Sequence, residues 1–313
     1  MSKYMPEGHL FTSEKNYSYI NSLDGLERAM RDNATVEALA VLCDHNLNLY
    51  VELGKGIKGI IKKEDILYQI SGQETKDIAI LTRVGKIVAF KVKSVSRAAT
   101  GEIIAYLSRK EAQKECYREY ISELHPGDVV PCRVTHIENF GAFVDLGCGI
   151  ISLLSIDSIS VSRISHPGDR IKVGESIYAV VKGVDNANRI SVSCRELLGT
   201  WEENAAVLNE GETVCGIIRS VENYGIFVEL KPNLTGLAEY KANIHAGQGV
   251  TVYIKSIIPE KMKIKLSIID TYSQTNEIAP LEYFINPKEI KHMDRWIYSP
   301  KESGKNIYTC FSN

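Results

Sequence analysis

Residues 134–146, VTHIENFGAFVDL, return as residues 218–230, IRSVENYGIFVEL. Each segment reads as a strand, a Gly-containing bend and a second strand, so the chain repeats a hairpin and with it a domain. In the second strand, period-two alternation sends Ala142, Val144 and Leu146 to one face, and Phe143 and Asp145 to the other. The copy sends Ile226, Val228 and Leu230 inward, and Phe227 and Glu229 outward. A large aromatic therefore stands on the polar face of the strand twice, and another, Phe140 or Tyr224, precedes the glycine each time. Folding alone does not demand aromatics on an outward face, whereas a surface that stacks flat ligands does. The competing reading is that a loop or neighbouring domain covers them.

The rest of the chain has room for several domains in its 313 residues. At 44% hydrophobic and 24% charged residues it has the composition of an ordinary soluble globular protein, with ample core-forming capacity. Its seven cysteines are scattered, without a CxxC pair or zinc-ligand spacing, and read as thiols in a reducing cytoplasm. Cys132 and Cys194 fit buried or half-buried strand positions. No apolar run suggests a signal peptide or a membrane span. No P-loop, GxSxG elbow or HExxH motif occurs, so neither an enzyme nor a cofactor is expected. A net charge of −2 is awkward for a duplex binder with a large basic face, but compatible with a single-strand binder that stacks bases beside a few local cations.

Residues 1–33 form a polar lead-in containing one short helix, with Ser22 as N-cap and Leu23, Leu26 and Met30 as its apolar stripe. Residues 34–107 are strand-rich and read as a degenerate first repeat, in which Tyr50 and Glu52 point outward but the aromatic-Gly pair is missing. Residues 108–124 read as a linker helix that opens with a Ser108/Glu111 capping box and packs through Ala112, Cys116, Tyr120 and Leu124. Residues 125–196 form the second repeat, with five strands and one long connection, as in a small closed barrel. Residues 197–208 suggest another linker helix, and residues 209–269 the third repeat. Residues 270–313, rich in Pro, Tyr, Lys and Asn, have no clear period, though their aromatics argue against wholesale disorder.

On the last strands, alternation sends Arg189, Ser191 and Ser193 outward in the second repeat, and Lys263 and Lys265 outward in the third. If the barrels close, these strands approach the aromatic hairpins. The candidate sites are then Phe140, Phe143 and Arg189, and Tyr224, Phe227, Lys263 and Lys265, with rings for bases and cations for phosphates.

FGAFVDLG, the G-I-I-S turn and VVKGVDNANRISVS resemble the S1 RNA-binding domain, an OB-fold module, and the chain is similar to the bacterial ribosomal S1 family and its shorter relatives. The second repeat matches over its whole length, the third well, and the first only in strand pattern. The resemblance implies an all-β protein of three tandem five-stranded OB barrels joined by helices. It implies an RNA face of two aromatics, a His on the third strand, and an Asp and Arg bracketing the last turn. Here these fall on Phe140, Phe143, Ser152, Asp185 and Arg189. In the third repeat they fall on Tyr224, Phe227, Glu239, Pro259 and Lys263, and an acidic Glu239 would weaken a phosphate path. In the first, Tyr50, Lys62 and the apolar Ile104 stand there, so that repeat is expected to read RNA poorly and instead to dock on protein or on the small (30S) ribosomal subunit.

The leading expectation is a non-catalytic, cytoplasmic binder of single-stranded RNA, including mRNA, in translation, without membrane contact. RNA decay or transcription control is one alternative, and a protein-interaction scaffold is another. His136, on a first strand, and His166, before Pro167, read as structural or solvated.

Overall fold

Apolar residues at every second position bury one face of each strand, and closing the sheet around that face removes its edges. The computed structural model describes residues 4–69, 76–99, 101–273 and 280–311. Two helices, α1 (Glu14–Ile20) and α2 (Leu23–Arg31), precede the first barrel. That barrel comprises β1 (Val36–Cys43), β2 (Leu49–Glu52), β3 (Ile57–Ile61), β4 (Ile87–Arg97) and β5 (Ile103–Ser108), with α3 (Asp77–Leu81) in its long connection. After α4 (Arg109–Glu119) comes the second barrel: β6 (Val129–Glu138), β7 (Gly141–Gly147), β8 (Ile150–Ser155), β9 (Ser176–Val184) and β10 (Ile190–Ser193). After α5 (Trp201–Ala205) the third contains β11 (Thr213–Glu222), β12 (Gly225–Lys231), β13 (Leu234–Ala238), β14 (Gly249–Ile258) and β15 (Lys263–Tyr272).

All three barrels are closed and share one topology, in which the third strand pairs in parallel with the fifth. This is the architecture of three tandem OB folds. Val134, Ala142, Val144, Leu154, Ala179 and Val192 fill the second barrel, while Ile218, Ile226, Val228, Val252 and Leu266 fill the third. Buried Cys132 and Cys194 sit in the second, and all seven cysteines are free thiols.

The helices differ in detail from the sequence expectation. Ser22 does cap α2, accepting from Gly25 N–H, but the inner stripe is Leu26 and Ala29, and Met30 points to solvent. Ser108 caps α4 by accepting from Glu111 N–H, and it also donates to Asp65. The second linker is a short turn plus the five residues of α5, whose Trp201 is buried in the third barrel's core.

The lead-in is built into the junction between the first two barrels. Tyr4 is buried between α4 and the second barrel, and its hydroxyl donates to Glu115 and Glu119. Glu7 accepts from Arg109 Nε at 2.7 Å and from Ala89 N–H at 3.0 Å, while its own N–H donates to Asp145 at 2.7 Å. Arg109 is fully buried and also reaches the Ile66 and Gly149 carbonyls. One segment and one arginine thus tie together the first barrel, α4 and the second barrel.

Arg170, from the second barrel, meets Glu229 of the third through two bonds of 2.7 Å, and Arg219 reaches the same carboxylate at 2.8 Å. The tail spans this second junction. Leu281 joins the second barrel's core, Trp296 and Tyr298 join the third's, and Phe311 packs with Val129, Val180 and Leu197. A short hairpin, β16 (Arg295–Ile297) and β17 (Tyr308–Cys310), holds these aromatics, and His292 pairs with Asp128 at 2.7 Å.

Removing one partner from a buried ion pair leaves the other charge uncompensated. Arg109→Met should therefore lower unfolding free energy by about 3–5 kcal/mol, read from urea melts.

Glu37, on β1, accepts from Gly8 and Leu10 N–H and so holds the lead-in. Burial, with the Glu7 carboxylate beside it, pushes its carboxyl from an ordinary 4.5 up to about 7. A raised carboxyl contributes stability that is present below its unfolded value and is lost as pH rises through its folded value. The midpoint of thermal unfolding should therefore decrease as pH rises from about 4.5 to about 7, and Glu37→Gln should reduce that slope.

Candidate nucleic-acid interface

The aromatic-Gly-x-aromatic segment forms the turn from β6 to β7 and from β11 to β12. Gly141 and Gly225 have φ of +158° and +152°, and a Cβ at either would lie 2.4 Å from Leu154 O or 2.6 Å from Ala238 O. Only glycine lets the chain turn so close to the next strand. The turn throws Phe140 and Tyr224 outward, where they are 56% and 72% exposed. Phe140 meets Phe143 edge-to-face at 6.0 Å and 86°, and Tyr224 meets Phe227 at 6.1 Å and 87°. The same two-ring platform is built twice, and among the described residues no loop or neighbour covers the outer ring.

A bulge in the first strand of each barrel sets what lies beside the inner ring. Pairing jumps from Val134↔Val144 to His136↔Phe143, and likewise from Ile218↔Val228 to Ser220↔Phe227. The skipped Thr135 donates to Phe143 O at 3.0 Å. His136 thereby stacks on Phe143 at 6.4 Å and 18°, with Nε2 at 2.7 Å from Glu138. This contact leaves no trace in the sequence pattern, because an unbroken alternation does not reveal a bulge.

Following the ladders sideways gives a row across each barrel. In the second it runs His136, Phe143, Leu153, Ser191, and in the third Ser220, Phe227, Leu237, Lys265. Leu153, not Ser152, therefore stands beside Phe143. Ser152 is turned into the barrel, where it is 3% exposed and donates to Ile190 O at 2.6 Å, so it has no place on this face. Leu237 holds the matching position in the third barrel, where Glu239 had been expected. Glu239 lies beyond the strand and pairs with Lys255 at 2.8 Å. Ser193, expected outward, is fully buried and bonded to Ser158 O and Glu196.

Lys263 and Lys265 are exposed, and Lys265 shares Phe227's row. Arg189 lies just before β10, one step past Ser191. Its N–H and Nε both donate to Asp185, at 2.9 and 2.8 Å, and its side chain is 78% exposed. The backbone N–H of Arg189, with its guanidinium and Ala187 N–H, holds the Asp185 carboxyl below the usual range. Asp185 thus orients the guanidinium at the turn.

The outward carboxylates do not face solvent. Asp145 is 1% and Glu229 4% exposed, each closed over at a barrel junction. Burial raises the Asp145 carboxyl to about 7, with the Glu7 carboxylate adding to the shift, while the N–H groups of Glu7 and Gly147 and the Arg109 guanidinium oppose it. The paired guanidinium groups of Arg170 and Arg219 outweigh burial at Glu229 and hold its carboxyl low. Among the described residues no group of three or more His, Cys, Asp or Glu side chains could hold a metal ion, and no helix is long and apolar enough to cross a membrane.

These features define a tandem OB-fold protein with two repeated aromatic platforms. Residues 123–195 match the family model described as "S1 RNA binding domain", so the middle barrel is an S1 domain. Over most of its length the chain is similar to bacterial ribosomal S1 proteins. It is 28% identical over 285 residues to small ribosomal subunit protein bS1 of Staphylococcus saprophyticus, covering 85% of this chain and 67% of that protein. It is 31% identical over 206 residues to the small ribosomal subunit protein bS1 homolog of Bacillus cereus, covering 61% of this chain and 54% of that protein. The chain spans roughly half to two thirds of the length of such relatives. A solved multidomain protein with nucleic acid binding domains from Streptococcus pneumoniae aligns over 76% of this chain and 73% of its own at 17% identity, with a TM-score of 0.24.

Gly141→Ala and Gly225→Ala should each cost about 1–3 kcal/mol, since both force a Cβ into a carbonyl at positive φ. Chemical denaturation measures that loss.

Proposed function

We propose that the chain is a non-catalytic binder of single-stranded RNA that holds mRNA during translation. The observation that carries this reading is the pair of near-identical edge-to-face platforms, exposed at the same position of two barrels. Bases stack on Phe140 and Phe143, and on Tyr224 and Phe227. Arg189, oriented by Asp185, and Lys263 and Lys265 contact the phosphates. The S1 match of the middle barrel and the likeness to ribosomal bS1 proteins support both RNA as the ligand and association with the small ribosomal subunit. Duplex is disfavoured because its bases are already stacked on one another.

Fluorescence anisotropy with U-rich and A-rich single strands at two salt concentrations tests this. Affinity should exceed that for duplex and fall with salt. Each stacked base contributes about 1–3 kcal/mol, so Phe140→Ala with Phe143→Ala should weaken binding by roughly 10-fold or more. Unchanged affinity would remove the platform from the interface. Co-sedimentation with ribosomal subunits separates a ribosomal role from RNA decay or transcription control.

A further inference from the structure

The first barrel lacks the aromatic-Gly turn, yet its ladders build another face. Its row runs Leu42, Tyr50, Ile60, Tyr106 and Ser94 across β1, β2, β3, β5 and β4. Tyr50 occupies the place of Phe143 and Phe227. Ile60 occupies that of Leu153 and Leu237. Tyr106 occupies that of Ser191 and Lys265. The second ring has moved from the hairpin to the last strand. Sequence spacing sets Lys62 and Ile104 at the matching site positions, but the parallel β3–β5 ladder puts Tyr106 there.

Two cations complete the arrangement. Lys58, Ile60 and Lys62 alternate along and just beyond β3, with Tyr50 on one side and Tyr106 on the other. Lys58 Nζ lies 5.2 Å from the Tyr50 ring centroid, and Lys62 Nζ 5.5 Å from that of Tyr106. Both lysines are exposed, and both rings are half-buried. Asp44 accepts from the Tyr50 hydroxyl at 3.1 Å, which fixes that ring. Beside Tyr106 a hollow of about 240 Å³ is lined by Lys62, Glu64, Asp65, Lys93, Ser94 and Leu107 as well as the ring. Of its carboxylates, Asp65 is neutralised by Lys93 at 2.9 Å and bonded to Ser108, and Glu64 is solvent-exposed.

We propose that this face is a third single-stranded RNA site, with bases stacking on Tyr50 and Tyr106 and the backbone passing Lys58 and Lys62. It deepens and rests on the RNA-binding reading of the other two barrels. The chemistry fits the ligand: flat rings meet unpaired bases, and lysines at the ring faces meet phosphates. Cations about 13 Å apart along a strand suit a backbone that crosses the barrel rather than a single anion.

The test is photocrosslinking of the full chain to thiouridine-substituted single-stranded RNA, with peptide mapping. Crosslinks to peptides containing Tyr50 or Tyr106, together with those of the second and third barrels, support the site. Crosslinks confined to the second and third barrels overturn it, leave the proposed function standing and return the first barrel to a protein-docking role. Crosslinks to none of the barrels overturn both. Lys58→Glu with Lys62→Glu, both at exposed positions, should leave thermal unfolding unchanged and abolish the first-barrel crosslinks alone. The same variant should weaken binding of a long single strand about 5- to 10-fold and reduce the slope of log affinity against log salt by about 1.4. An unchanged slope and affinity would overturn the site.

Discussion

Asp145 and Glu229 hold the same position in their barrels, two residues beyond the inner aromatic and on the same face. Burying a carboxylate costs several kcal/mol unless partners replace its water. Asp145 finds them in the N–H groups of Glu7, Gly147 and Gly149, close to Arg109, and Glu229 in the guanidinium groups of Arg170 and Arg219. The corresponding Glu52 of the first barrel is exposed. Covering the carboxylate is therefore what brings each successive barrel against the one before. Because the covered end is the carboxylate end, the aromatic turn of the same strand is left open. One strand thus specifies both a junction and an open aromatic face.

The tail reinforces the second junction. Tyr178 N–H donates to Tyr283 Oη at 2.8 Å on the second barrel, and Tyr298 Oη donates to Asn233 O at 2.6 Å on the third. Asn233 in turn bonds Val161 N–H and the Arg195 and Gly199 carbonyls of the preceding segment. Polar partners this well satisfied fix one relative placement of the two barrels. For a ligand that is itself a flexible chain, sites held in fixed relation confer avidity, because binding at one raises the effective concentration at the next.

The barrels were legible because their signal is local. Alternation located the inward residues of β7 and β12, and the repeated hairpin located Phe140, Phe143, Tyr224 and Phe227. What escaped was set by register. A bulged residue leaves no mark in the pattern, so nothing in it shows that His136, solvent-exposed as expected, also stacks on Phe143. Spacing placed Ser152 on the face, but the β7–β8 ladder puts Leu153 there and turns Ser152 inward. Tyr106 becomes a partner of Tyr50 only through the parallel β3–β5 pairing. The burial of Asp145 and Glu229 depends on neighbouring barrels, and the tail has no period because its aromatics pack on barrels distant in sequence.

The net charge of −2 speaks only against a duplex binder with a broad basic face, and its distribution matters more than its sum. Arg109, Arg170 and Arg219 are committed to buried carboxylates at the junctions, so their charge is neutralised where no ligand reaches. Exposed Lys58, Lys62, Lys263, Lys265 and Arg189 stand on or next to the aromatic rows. A duplex binder needs a broad basic field to collect many phosphates at once. A few cations beside stacking rings instead act on one strand at a time, and the rings offer nothing to bases already paired. On the proposed reading, discrimination against a duplex would rest on the aromatic platforms rather than on the overall field.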